Sequence, residues 1–501
     1  MLSPEAHVTS ERREAGLRQL VVEAAFSNTT AALTTGVILP ALALHLGASN
    51  VMIGLLAAVP FFAQFGQLPG IWLVERLRAR KRIAVISSVV GRLALAVIAV
   101  LPFLAAGALP LLVLATAVLC LFGAVGGCAW NAWLRDLVPE ERMGDLFARR
   151  TVYATITLLA AGLIAAGGLE LSERGLVSAD ATFAVLYGTG CLFGMLSAVI
   201  VARMPEPAMT APQETNLNLF KVLRRPFRDP NFSRLIVFVA AWQFAINFAT
   251  PFFTVFLVKQ LGYGMTVVIG LNIASQLANA LTLRQWGRLT DTFSNKSVLR
   301  VSAPVYILCI VGMTGASQID GEGARLVWLT VLHLLMGGAM GGATLAVTNI
   351  ALKLSPRGES TAYIAVNSLV SAIAAGVAPI LGGLLADFFS ARRLELALRW
   401  INPGGVTGLI DVRLMHWDFY FLISGALGVY ALHRLSVVRE EGEIDRSEVV
   451  RHMFVRTRST FQNFSTVTGL RAITELPAGL AREERVRRRW TRMNARRLPV
   501  V

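Results

Sequence analysis

The stretch Leu46-Gly47-Ala48-Ser49-Asn50-Val51-Met52-Ile53-Gly54-Leu55 returns later in the chain as Leu261-Gly262-Tyr263-Gly264-Met265-Thr266-Val267-Val268-Ile269-Gly270-Leu271. The Leu-Gly and Ile-Gly-Leu elements keep nearly one offset. At that offset Glu75 with Arg80 returns as Asp291 with Lys296, and Pro139, ahead of an apolar helix, returns as Pro356. Landmarks of several kinds at one spacing mark two copies of one half in the same orientation. A parallel duplication inside a strongly apolar chain is a transporter signature.

The 501 residues are 55% hydrophobic and only 16% charged. A bilayer-spanning helix needs about 20 mostly apolar residues, and twelve stretches qualify: 18–46, 51–73, 83–107, 109–133, 151–169, 181–202, 235–258, 265–285, 299–319, 326–352, 361–389 and 416–437. The expected fold is an all-α polytopic membrane protein with twelve transmembrane helices arranged as two parallel-repeat six-helix bundles. Residues 1–202 form the first bundle, 203–234 a polar cytoplasmic linker, 235–437 the second bundle and 438–501 a basic cytoplasmic tail.

The formal charge of +16 suggests nucleic-acid binding only until its placement is read. Basic residues crowd alternate loops: Arg76, Arg78, Arg80, Lys81 and Arg82; Arg135, Arg142, Arg149 and Arg150; the linker; Arg284, Arg288, Lys296 and Arg300; Lys353 and Arg357. The loops after helices one and three carry no Lys or Arg. This is the positive-inside pattern, which puts both termini in the cytoplasm of an inner (plasma) membrane protein and makes no nucleic-acid partner necessary. The bilayer is the expected partner, and the chain is expected to function as a monomer.

Cys120, Cys128, Cys191 and Cys309 all lie inside expected spans without ligand spacing, so neither a disulfide framework nor a metal site is expected. The charged stretch from Glu5 to Arg18 feeds a full-length span, unlike a cleavable signal. No Gly-Lys dipeptide exists to build a nucleotide-binding loop, and six scattered histidines without an HExxH pattern argue against an embedded enzyme. No catalytic residue and no cofactor is expected. The competing classes are a membrane sensor signalling through the tail and a membrane-embedded enzyme.

The segment Trp286-Gly287-Arg288-Leu289-Thr290-Asp291-Thr292-Phe293-Ser294-Asn295-Lys296 resembles the signature loop between the second and third helices of each half in the major facilitator superfamily. Gly287, Asp291, Phe293 and Lys296 fit that pattern, whereas Thr292, Ser294 and Asn295 depart from it. The first-half copy, Leu73 to Lys81, keeps Glu75, Arg76 and Arg80 but loses the glycines. The resemblance covers about residues 18–437, is to a transporter of bacterial type, and reaches no subfamily. It implies secondary active transport of a small organic solute by alternating access, with Gly287, Asp291, Lys296, Glu75, Arg76 and Arg80 as a cytoplasmic latch between the halves. Glu75 and Asp291 as solvated loop acids are the alternative.

The resemblance also implies that helices one, four, seven and ten line the central cavity. Spacing adds polar stripes: Glu23, Ser27, Thr30 and Thr34 on one face of helix one, and Gln243, Asn247, Thr250 and Thr254 on helix seven beside Trp242. Such groups avoid lipid, so they face either solute or a neighbouring helix. Ser27, Thr30, Thr34, Trp242, Gln243, Asn247, Thr250 and His333 are the solute-contact candidates. Glu23 and Arg92 are the coupling candidates, because a charge within a span is costly and is commonly retained for function. Their pairing is geometrically open, a structural ion pair is the plain alternative, and the proton is the candidate coupling ion. The Arg-rich tail, with Ala481 to Trp490 at its densest, suits either anionic lipid heads or a solvated extension.

Overall fold

The computed structural model describes residues 4–5, 8–104, 107–209, 219–356, 360–402 and 405–440. The tail beyond Glu440 and the loop acid Glu359 lie outside them. Twelve described helices are long and apolar enough to cross a bilayer. They are α1 Ser10–His45, α2 Asn50–Leu77, α3 Arg80–Phe103, α4 Ala108–Leu137, α5 Arg149–Glu173, α6 Ala179–Arg203, α7 Pro230–Gln260, α8 Met265–Thr290, α9 Asn295–Ala316, α10 Glu322–Leu354, α11 Tyr363–Phe389 and α12 Trp417–Val437. A short helix, Leu219–Arg228, precedes α7.

Local chemistry sets the helix starts. Ser49 accepts from the Met52 N–H at α2, Ser294 from the Ser297 N–H at α9, and Asp229 from the Asn231 and Phe232 N–H groups ahead of Pro230 at α7. Within α1 the helix breaks at Gly36, whose φ of +61° suits a residue without a Cβ. In α7, Pro251 removes a backbone donor; the helix tightens over Thr250–Phe252 and then widens into a π turn over Phe256–Gln260.

Packing repeats between the halves. In the first, α3 lies against α4 and α6 while α1 lies against α5 and α6; in the second, α9 lies against α10 and α12 while α7 lies against α11 and α12. The halves meet where α2 packs on α11 and α5 on α8. Fully buried Leu20, Trp133, Leu137 and Met204 centre the first bundle. Stacked Phe248 and Tyr420, with Phe252, Trp417 and Phe421, centre the second. Ile164 and Leu281 point outward, 71% and 76% exposed, as lipid-facing side chains do. Because lipid is as apolar as leucine, close packing and hydrogen bonds between helices hold such a bundle together.

The connection between α11 and α12, read above only as a gap between spans, is a hairpin. Strand β1, Arg393–Asn402, pairs antiparallel with β2, Gly405–Met415, from Arg393 opposite Met415 to Asn402 opposite Gly405. The alternation Leu394, Leu396, Leu398, Trp400 was the available signal.

Candidate functional site

Glu23, Arg92 and Arg150 converge inside the first bundle. Arg150 Nη2 on α5 lies 3.3 Å from Glu23 Oε2, and Ser197 Oγ on α6 donates to Glu23 Oε1 at 3.2 Å. Glu23 is therefore paired with Arg150, a residue read above only as part of a basic loop. Arg92 opens onto the same cavity, about 170 Å³ in volume, whose walls also include Ser87, Ser88, Phe122 and Trp130. Its Nε has no hydrogen-bond partner, and no carboxylate among the described residues reaches ion-pair distance. The Arg92 stem lies against α6, where a Cβ on Gly194 would collide with Cδ, and its backbone carbonyl accepts from Cys191 Sγ. Gly123 and Gly127 on α4 border the cavity and face open space.

The polar stripes divide. Thr30 Oγ1 donates to the Gly190 carbonyl of α6 at 3.0 Å, and Tyr187 donates to the Thr34 carbonyl at 3.1 Å, so Thr30 and Thr34 line the α1–α6 seam. Ser27 bonds within its own helix, to the Ala24 carbonyl. On α7, Trp242 is buried with its ring 6.2 Å from that of Tyr306 on α9, and Thr250 Oγ1 lies 3.3 Å from the Tyr306 hydroxyl. Asn247 Nδ2 donates to the Gln243 carbonyl at 2.8 Å. His333 is buried on α10, its Nδ1 2.8 Å from the Leu329 carbonyl. Gly337, Gly338, Gly341 and Gly342 of α10, unlike Gly123 and Gly127 of α4, pack against α8: the Gly338 carbonyl accepts from Trp286 Nε1, and a Cβ on Gly342 would collide with the Trp286 ring.

At the end bearing the basic loops, each half closes on itself. The Glu206 carboxylate, fully buried, accepts from the Arg80 N–H at 2.7 Å at the start of α3. Arg80 also bonds Asp136 and the carbonyls of Ala132 and Pro207, while Lys81 Nζ donates to the Met204 carbonyl at 2.9 Å. Burial pushes the Glu206 carboxyl up, against the pull of the Arg80 and Lys81 backbone N–H groups and the Arg80 charge. The second half repeats this. Glu440 accepts from the Lys296 N–H at 2.7 Å and from Asn295 Nδ2 at 3.0 Å, Lys296 Nζ donates to the Val438 carbonyl at 2.6 Å, and Lys353 lies 3.0 Å from Glu440. Arg80 and Lys296, expected in a latch between halves, thus hold the segments that leave α6 and α12. This second pair of matching acids escaped the sequence because Met204-Pro205-Glu206 and Val438-Arg439-Glu440 share only the glutamate.

Of the other latch residues, Glu75 and Arg76 are exposed, with the Arg76 guanidinium 5.0 Å from the Trp72 ring. The Gly287 carbonyl accepts from Thr290 Oγ1. The Asp291 side chain lies outside the described ones.

The opposite end carries hydrogen bonds that join the two halves. Asn50 Nδ2 and the Val51 N–H on α2 donate to Asp387 on α11. The Met265 N–H on α8 donates to Glu173 at 2.6 Å, and Thr266 Oγ1 donates to Glu170 at 2.6 Å and, at 3.4 Å, to the Ala166 carbonyl, all on α5. Acids beside helix N-termini are favoured by the helix dipole. Glu170 and Asp387 occupy matching places in the repeat. Among the described residues no group of three His, Cys, Asp or Glu is placed to hold a metal ion.

Two six-helix copies that meet along one boundary, with ionisable groups inside a bundle, are the architecture of the secondary transporters, carriers that work by alternating access. The family described as Major Facilitator Superfamily matches residues 23–379, and again 274–489, and the chain belongs to it. An MFS-type transporter of Aspergillus terreus (strain NIH 2624 / FGSC A1156) is 32% identical over 148 residues, 28% of this chain and 26% of that protein. The chain is thus matched to only about a quarter of that relative's length. Among solved structures, the nucleoside transporter NupG superposes with a TM-score of 0.64 at 13% identity, covering 84% of this chain and 98% of that one. A D-xylose-proton symporter gives 0.59 at 13% identity, covering 85% and 98%. An inward-facing, unoccupied bacterial homologue of the human lysosomal transporter Spinster gives 0.57 at 17% identity, covering 87% and 100%. At these identities the likeness is one of fold.

Proposed function

We propose that this carrier couples its solute to a proton and that Glu23 is the proton-carrying group. The observation behind the reading is the Glu23 carboxylate itself, 6% exposed, held by Arg150 and Ser197 at the edge of a cavity in the first bundle. A buried carboxylate paired to a guanidinium has two stable states, ionised and paired or protonated and released. One structural relative is a proton symporter, which makes proton coupling chemically natural for this architecture.

In the same reading the protein sits in a bacterial inner membrane with the basic loops and both termini on the cytoplasmic side, and it works as a monomer. The halves, hydrogen-bonded to one another at the far end, then represent a cytoplasm-open state. The loop from Gly287 to Lys296 and its first-half copy around Glu75 would meet the opposite bundle when the basic end closes. Ser27, Gln243, Asn247 and Thr250 are further polar groups that the solute would meet outside that cavity.

The test is flux in proteoliposomes of a solute first identified by an uptake screen in cells lacking the protein. A pH gradient is expected to drive accumulation, and Glu23→Gln to abolish that drive while leaving exchange of solute between the two sides. Accumulation by the variant equal to that of the wild type would remove Glu23 from the coupling step.

A further inference from the structure

We propose that the solute carries a single negative charge, borne by a carboxylate, and that Arg92 supplies its counter-charge. This rests on the coupling reading above and adds the class of solute. The cluster holds two guanidiniums and one carboxylate. Glu23 is committed to Arg150 and Ser197, whereas Arg92 faces the cavity with no ion-pair partner among the described residues. The Nε donors of both arginines are buried without acceptors. A guanidinium does not shed its proton, so the surplus positive charge stays inside the span, where isolated charges are costly.

A carboxylate removes that surplus and accepts two parallel N–H bonds from one guanidinium. The cavity, about 170 Å³, exceeds the roughly 30 Å³ share of one water several-fold. Ser87 and Ser88 offer hydroxyls beside Arg92, while Phe122 and Trp130 offer apolar walls for an organic body. A guanidinium and hydroxyls together with aromatic surface fit a small organic monoanion better than a polyhydroxylated neutral solute.

The same geometry supplies the coupling. Toward Glu23 face Arg150 from α5 and Ser197 from α6; Arg92 from α3 and Trp130 from α4 share its cavity, and Cys191 of α6 lies at the Arg92 carbonyl. No second acid is among these groups. A solute carboxylate at Arg92 is a like charge beside Glu23 and a competitor for its guanidinium donors. Binding of the anion at Arg92 and of a proton at Glu23 therefore favour one another. Anion and proton cross together as a neutral pair, and the empty carrier returns with Glu23 ionised on Arg150.

The experiment uses the purified full chain with a panel of acetate, benzoate and nicotinate, set against neutral xylose and uridine. Binding is followed by thermal shift, and charge movement by currents on supported proteoliposomes. Monocarboxylates are expected to bind, more tightly as pH falls, and Arg92→Gln to weaken them by roughly 10- to 100-fold. Arg92→Lys should retain part of the affinity. Gly194→Ala, which leaves Arg92 in place but pushes its stem aside, should weaken binding if Arg92→Gln proves misfolded by size exclusion. Proton-driven uptake of the anion is expected to pass no net current. Binding of only the neutral solutes, of no panel monocarboxylate, or with wild-type affinity in both Arg92→Gln and Gly194→Ala would overturn the proposal, as would proton-driven positive current with a neutral solute. Arg92-dependent anion binding with flux indifferent to the pH gradient would instead sink the coupling reading and leave the solute class standing.

Discussion

Asp387 accepts a 2.7 Å hydrogen bond from Asn50 across the boundary between the halves, so that α11 caps the start of α2. The Val51 N–H adds a second contact at 3.3 Å, and Glu173 and Glu170 cap α8 from α5 in the mirrored place. Both joints set a carboxylate against a helix N-terminus, and both must break for this end to open.

Replacing these acids should therefore favour the state open at that end. Each charge-assisted bond is worth about 1.5–3 kcal/mol, so Asp387→Asn together with Glu173→Gln is expected to shift the resting equilibrium by one to several powers of ten. Spin-label distances between the α1–α2 and α7–α8 turns should lengthen and broaden in the double variant. An unchanged distance distribution would show that apolar packing alone holds the joint.

Gly54 and Gly270 occupy matching places in the repeat but differ in space. A Cβ on Gly54 would collide with the Pro379 carbonyl of α11, whereas one on Gly270 meets nothing within 4 Å. Gly54→Ala is expected to hinder closure of α2 on α11 and to cut the transport rate about tenfold or more, since backbone cannot move aside as a flexible side chain can. Gly270→Ala should leave the rate within about twofold, as surface changes do. Equal rates for the two variants would contradict this asymmetry.

The buried Glu206 and Glu440 carboxylates hold the helix starts at Arg80 and Lys296 and the chain leaving α6 and α12. Removing one partner of a buried ion pair typically costs about 3–5 kcal/mol. Glu206→Gln, which removes one of the two carboxylates around the buried Arg80 guanidinium and leaves Asp136, is expected to cost the lower part of that range. Glu440→Gln should cost less, because its partner Lys353 is 47% exposed. Thermal unfolding in detergent should rank the melting temperatures wild type, Glu440→Gln, Glu206→Gln, from highest to lowest.

His416, in the left-handed region at φ +31° between the hairpin and α12, stacks on Trp417 with ring centroids 4.4 Å apart. Burial lowers its proton affinity below the ordinary value of 6.5, and the nearby Lys259 adds to the effect. A folded-state value below the unfolded one means that the unfolded chain binds the proton first. Stability from this group is complete above pH 6.5 and is lost as pH falls through the folded value. His416→Asn, which tolerates the same backbone, should flatten the acid-side fall of the melting temperature relative to wild type.

Much of the architecture was legible from residues alone. The offset from Ile53 to Ile269 announced the duplication, and the expected spans differ from the observed helices mainly at their ends. Asp387 shows where such reading stops: its place near the end of an apolar run suggests a solvated acid, yet α2 lies within hydrogen-bond reach. Thr30 and Thr34 show the same limit, since one polar stripe serves a helix seam or a solute equally well until the neighbour is known.

The sequence by itself determined the class, the number of spans, their parallel repetition and the basic end. Hydropathy and charge act over a single helix, and a bilayer enforces them locally. Only the tertiary structure decided which charges meet: Glu23 with Arg150, leaving Arg92 to face the cavity, and Arg80 and Lys353 with acids of their own half. Those pairings join residues far apart in the chain. They depend on how each helix is tilted and rotated against its neighbours, which packing sets and no single helix encodes.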